Sequence, residues 1–295
     1  MKNKQNKQLA KKTKNQPKKK SISYRARQFT KGTIFISGYW PPTNTEQPDG
    51  MLNQFKSSKR GTLGEYIIEN YKDTGYRLVT IATEFPDNVE PTSNWGGGTG
   101  FWTVDYPLTS YTFWKLMKAY TPCALMTTSR NTSDKRWVME IGATNLPRNS
   151  WTILSWNQDR PPYIGGSDSD PALPNAGCNS KRGNPPDATV NQNTIRYVTA
   201  EVSVLQQIII NVLNKKFTAE QLVSEKDTEV QGTGSDSYVS AFVGYHAVWY
   251  NAWSAACRVG WHTHVGFEMT AETASKAIKL QLHELIKWLD SASSS

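Results

Sequence analysis

Cysteine is scarce: three in 295 residues, and Cys123, Cys178 and Cys257 are odd in number, far apart and without any Cys-x-x-Cys spacing. That argues against a disulfide framework or a structural zinc site and fits a reducing, cytoplasmic interior. Long hydrophobic runs are absent as well. No window approaches the roughly 20 apolar residues of a membrane-spanning helix. The basic opening lacks the apolar run of a secretory signal, since Leu9-Ala10 is the only apolar pair before Ile22. Acidic residues are missing from positions 1 to 20, which hold nine lysines, so the formal net charge of +9 resides there and the rest of the chain is close to neutral.

A segment rich in Lys, Asn and Gln with almost nothing apolar cannot repay the entropy of ordering, and residues 1–22 are expected to be a disordered tail. Its charge allows a nonspecific, salt-sensitive contact with polyanions. Residues 23–291 are long enough for one sizeable α/β domain, and residues 292–295 form a short Ser-rich end.

Within that domain, Gly32-Thr33-Ile34-Phe35-Ile36-Ser37-Gly38 is a β-branched and aromatic run stopped by glycine, as a buried first strand requires. Leu78 to Thr83 reads as a second buried strand, and the polar and apolar mixture from Gly64 to Tyr71 is compatible with a helix before it. Apolar residues at Val202, Leu205, Ile208, Ile209 and Val212 recur at helical spacing, and Ala274, Ala277, Ile278, Leu282, Leu285, Ile286 and Leu289 repeat the pattern. Thr270 is the candidate N-cap of this last helix, with Glu272 in its first turn. Strands alternating with helical patterns predict a three-layer α/β/α sandwich around a mostly parallel, twisted sheet.

Glycine gathers in Asn94-Trp95-Gly96-Gly97-Gly98-Thr99-Gly100-Phe101, but this run lacks the Lys-Ser/Thr ending of a phosphate-binding loop and reads as a surface loop. Asn157 to Asn191 is dense in Pro, Gly, Asn, Asp and Ser, as in a long loop over an edge or active face.

Two clusters can carry chemistry. Ser240 follows the turn-forming Gly232-Thr233-Gly234-Ser235-Asp236 and opens a helical stretch through His246 to Tyr250. A serine so placed is either an N-cap or a nucleophile exposed beside backbone N–H donors. The second cluster is Gly260-Trp261-His262-Thr263-His264-Val265-Gly266. On a strand, His262 and His264 share a face; they could bind metal with His246, be satisfied core residues, or supply a base. Cys257, seven positions before His264, reads as a small buried apolar residue, and Trp249, Tyr250, Trp253 and Trp261 as core or pocket wall.

Four short segments, in order, resemble the pyroglutamyl peptidase I family of cysteine peptidases. That family has an opening strand ending in Gly-Phe-Glu-Pro-Phe-Gly, where this chain has Gly38-Tyr39-Trp40-Pro41-Pro42. Its Leu-Glu-x-x-Ala-x-Asn segment is matched by Met139-Glu140-Ile141-Gly142-Ala143-Thr144-Asn145. Its Tyr-Leu-Cys-Asn and His-Val-Pro segments are matched by Tyr238-Val239-Ser240-Ala241 and His264-Val265-Gly266.

The resemblance spans residues 32 to 290. It implies Ser240 at the nucleophile position, His264 as base and Glu140 as orienting carboxylate, with no cofactor and no metal. It also implies Tyr39, Trp40, Asn145 and Arg130 as substrate-binding residues around a peptide or small amide. The family's cysteine has become serine, the second phenylalanine of its opening turn has become Pro42, and the glycines after it have become Thr43 and Asn44. The implied function is a peptidase-like amide hydrolase. The alternative is an inactive family member that binds a peptide or partner in the same cleft.

Overall fold

In the computed structural model, the described residues are 31–39, 48–84, 98, 100–130, 135–146, 150–152, 194–228, 230 and 237–292. The lysine-rich segment, Trp40 to Asn44, most of the glycine-rich loop, Cys178 and the expected long loop lie outside them.

A seven-stranded sheet runs in the order β2 (Tyr66–Ile68), β3 (Tyr76–Ala82), β1 (Gly32–Gly38), β4 (Ala124–Arg130), β9 (Val259–Val265), β5 (Arg136–Glu140), β8 (Val223–Asp227). Four of its six strand pairings are parallel; β2 on β3 and β5 on β9 are antiparallel. Helices cover both faces. One carries α1 (Pro48–Leu52), α3 (Ala200–Lys216) and α5 (Ala271–Ser291), the other α2 (Tyr106–Tyr120) and α4 (Val239–Trp253). A two-stranded antiparallel sheet, β6 (Gly142–Asn145) with β7 (Thr194–Tyr197), lies beside α4. This is the expected α/β/α sandwich.

The sequence explains why the central strands sit between two helical layers. Along β4, Ala124 and Met126 enter the core under α3 and α5, while Leu125 enters the core under α2 and α4. Both sides of the strand are therefore apolar at its start, as a doubly covered parallel strand requires. Each large side chain so buried contributes about 1.5–3 kcal/mol of hydrophobic stabilisation. Thr270 caps α5 as expected, its hydroxyl accepting from Thr273 N at 3.2 Å, and Thr199 caps α3 in the same way.

One expectation is corrected. Residues Gly64 to Tyr71 do not form a helix: Tyr66–Ile68 is a strand whose Ile67 is buried opposite Val79, and a 3-10 turn follows at Tyr71–Asp73. The apolar segment is too short for a helix, and the sheet supplies its hydrogen bonds antiparallel to β3.

Helix α4 is apolar almost all round because it is buried almost all round. Residues 254–258 return directly from its C-terminus to the start of β9, so α4 runs antiparallel to β9 and its N-terminus lies toward the carboxyl end of that strand. The close approach depends on Gly260, where a Cβ would stand 2.5 Å from the Ala247 carbonyl oxygen and 2.7 Å from Asn251 Cβ. Gly260→Ala is therefore expected to push helix and strand apart and to destabilise the protein by about 1–3 kcal/mol. An unchanged urea-unfolding midpoint in this variant would show that the helix is not seated on the strand as described.

Candidate active site

β9 places His262 and His264 on one face, toward α4. Its antiparallel neighbour β5 sets Val138 opposite His264, so Glu140, two residues on, projects from the same face one step deeper in the sheet. The diagonal is short enough to bridge: Glu140 Oε1 lies 3.1 Å from His264 Nδ1. Glu140 is 1% exposed, whereas the His264 side chain retains 12%. The carboxylate is thus sealed beneath the imidazole, and the imidazole is the member that reaches solvent.

Glu140 is held from behind as well. Its carbonyl accepts from Gln206 Nε2 of α3 at 2.8 Å, and the next carbonyl, of Ile141, accepts from Val198 N at 2.8 Å. The chain then leaves the large sheet for β6, where Asn145 is buried and pairs in register with Thr194.

Ser240 is the second residue of α4 and half-buried. The N-cap residue, Tyr238, gives the helix no side-chain cap, so the first-turn N–H groups have no side-chain acceptor from it. Among the described residues, the Ser240 hydroxyl makes no side-chain hydrogen bond. The structure thus brings Glu140 and His264 together, while Ser240, among the described residues, makes no side-chain hydrogen bond to either of them.

Arg130 and Tyr39 lie at the same edge. Arg130 ends β4 with its guanidinium 4.2 Å from the Phe267 ring centre, and partial burial draws its pKa down. Tyr39 directly follows β1, 2% exposed, with its hydroxyl against Thr109 and its ring 5.5 Å from Trp102. Burial raises its pKa well above the usual phenol value. Trp40 is outside the described residues.

Sequence reasoning missed the neighbours on β4. Ser129 pairs in register with His264 and Thr127 with His262, and their hydroxyls sit 2.8 Å from His262 Nε2 and Nδ1 respectively. The Ala-Leu-Met-Thr-Thr-Ser run at 124–129 is the available signal. His262 thus has hydroxyls at both ring nitrogens. His246 is similarly engaged: its Nδ1 donates to the Phe242 carbonyl at 2.8 Å, which leaves Nε2 to accept from Ser110 at 3.1 Å. No group of three or more metal-ligating side chains occurs among the described residues.

The two described thiols are poor nucleophiles. Burial pushes Cys123 up to about 11 and Cys257 higher still. Nor is any described helix long and apolar enough to cross a membrane.

No protein-family model matches the sequence, and no curated protein matches it either. Solved structures do. A point mutant of pyrrolidone carboxyl peptidase from the hyperthermophile Pyrococcus furiosus superposes with a TM-score of 0.52 at 11% identity, covering 87% of this chain and 99% of that one. The structures of pyrrolidone carboxyl peptidase from the same organism and its cysteine-free mutant give 0.51 at 10% identity over the same shares. At such identity the likeness establishes the fold, and that fold is the one implied by the sequence motifs.

Burial holds the pKa of His246 down at about 3 and that of His262 well below the ordinary imidazole value, with neighbouring His264 adding to the effect at His262. The unfolded chain binds these protons more readily than the native one. Stability from keeping both rings neutral is therefore full above about pH 6.5 and is withdrawn as pH falls toward their depressed values. Urea unfolding at pH 7 and pH 5 should show a loss approaching about 1.4 kcal/mol per pH unit for each histidine, and His246→Gln should flatten the slope. A slope unaltered by the substitution would mean that His246 is not held neutral by the fold.

Proposed function

We propose that this chain is a peptidase-like amide hydrolase in which Ser240 is the nucleophile, His264 its general base and Glu140 the carboxylate that orients the base. The observation that carries the reading is the buried Glu140–His264 pair, set beneath the N-terminal end of α4 at the carboxyl edge of the sheet. Open α/β sheets bind ligands at that edge.

Each residue has a defined task. An imidazole that donates its Nδ1–H hydrogen bond to Glu140 keeps the Nε2 lone pair for a proton from the nucleophile. Serine needs this help more than cysteine does, because a hydroxyl is far harder to ionise than a thiol and must lose its proton during attack. The Ser240 oxygen then bonds to the amide carbonyl carbon, and the first N–H groups of α4 stabilise the resulting oxyanion. His264 returns the proton to the leaving amine, and water releases the acyl group by the same steps. Tyr39, Trp40 and Asn145 complete the substrate side of this proposal, and Arg130, whose side chain leaves the other face of β4, reaches it around the end of that strand. Pro42, Thr43 and Asn44 in the opening turn argue against carrying pyroglutamate specificity across.

A second reading, a silent cleft that binds a peptide, draws on the hydroxyl of Ser240, which contacts no base among the described residues. Ser240→Cys separates the two. A thiol beside a competent His264 should react with iodoacetamide about tenfold or more faster than Cys123 or Cys257, and should turn over small amides with a rate that rises as the thiol titrates. Adding Glu140→Gln should slow both. Alkylation no faster than at Cys123, with no amide turned over, would leave only the silent cleft.

A further inference from the structure

One histidine of the cluster has no part in this mechanism, yet it is the most tightly held. His262 is 1% exposed, with Thr127 Oγ1 and Ser129 Oγ each 2.8 Å from its ring nitrogens. A hydroxyl can donate or accept, so this pair satisfies a neutral imidazole in either tautomer, and although it could accept from a second ring N–H it brings no negative charge to offset a buried imidazolium. The ring stands nearly perpendicular to that of His264, at 88°, with centroids 4.9 Å apart. All four side chains project from one face, because β4 and β9 pair in register with Thr127 opposite His262 and Ser129 opposite His264.

We propose that the Thr127–His262–Ser129 clamp is a positioning device: it fixes a neutral imidazole edgewise against His264 and keeps that imidazole from competing for Glu140. The need for it follows from the geometry. Two imidazoles two residues apart on one strand face the same carboxylate, and a free His262 ring could turn toward it. With both its nitrogens engaged by β4, His262 can only wall the site, and of the two rings on β9 His264 alone is left to hydrogen-bond Glu140 through Nδ1.

The surrounding charges agree with this role. Glu140 comes from β5 and His264 from β9, while β4 presents the two hydroxyls on this face, its Arg130 alternating to the other. Beyond β5, β8 sets Asp227 opposite Glu140 and Glu225 opposite Val138, both only partly buried. Helix α4, packed over β9, brings Tyr245, His246 and Tyr250; burial raises both phenols and lowers the imidazole, so all three stay neutral near pH 7. Arg196 of β7 donates to the Tyr245 hydroxyl at 2.9 Å. Burial likewise keeps His262 neutral.

The proposal rests on the Ser240–His264–Glu140 reading for its purpose, but its test does not need activity. Nitrogen-15 NMR of the histidine side chains, followed over about pH 4 to 8, reads tautomer and titration directly in the full chain. In the parent protein His262 should not titrate, and His264 should carry its proton on Nδ1. In Thr127→Val with Ser129→Ala the His262 signals should shift, and the His264 midpoint should fall by about half a pH unit or more as the freed ring competes for Glu140.

Ser129→Ala alone, should the double variant fail to fold, is expected to move both in the same sense, and the conservative pair Thr127→Ser and Ser129→Thr should restore the parent titration. If the enzyme turns over an amide, the acid limb of kcat/KM should follow the His264 midpoint. A lower urea-unfolding midpoint with His264 tautomer and titration unchanged would reduce the clamp to a structural role and overturn the proposal. An inactive parent that nevertheless shows the predicted NMR changes would overturn the hydrolase reading and leave the clamp standing.

Discussion

The site depends on the antiparallel seam between β5 and β9. A parallel neighbour would send its carboxyl end out at the same edge as His264, whereas β5 enters at that edge and runs inward. Its last residue, Glu140, therefore lies below the imidazole, not beside it. This accounts for the gradient of exposure in the pair and for the second function of the seam, which is to deliver the chain from Glu140 into β6 against α4. Gln206, reaching from the opposite helical layer to the Glu140 carbonyl, secures the same corner from the other face.

Burying a carboxylate is unfavourable unless its charge finds a partner, because the lost hydration is worth several kcal/mol. Glu140 has the imidazole at 3.1 Å, and its other neighbours on β4 and β9 are neutral. Thr127, Ser129 and His262 supply hydrogen-bonding capacity without adding charge. The result is a polar island set into an otherwise apolar layer, roofed by α4, with Trp102, Phe113 and Phe242 in the same core. Such islands are costly when incomplete, which is why the register of three adjacent strands matters more here than any single residue.

Much of this is legible in the amino-acid sequence. The apolar run of the first strand has the bounds of the strand itself, and the two long amphipathic helices show the 3.6-residue periodicity that a helix buried on one face must have. Short motifs in order single out Glu140, Ser240 and His264, and the fold brings the first and last into contact. Harder to see is everything whose meaning lies across strands. Thr127 and Ser129 look like ordinary β-formers until pairing places them against His262, and Gln206 is one more polar residue on a helix until α3 packs behind β5. The pattern around Tyr66–Ile68 covers too few residues to separate helix from strand, and there the helical expectation fails. Helix α2 escapes the periodicity because its aromatic residues hide the polar stripe that marks a surface helix.

The central claim is that a buried carboxylate and imidazole prepare Ser240 for acyl transfer, and a fluorophosphonate probe tests it most directly. The probe should label the full chain at Ser240 alone, as identified by peptide mass spectrometry, with labelling lost in His264→Ala and reduced about tenfold or more in Glu140→Gln. Absence of labelling in the parent protein, or labelling at another serine that survives loss of His264, would contradict the account.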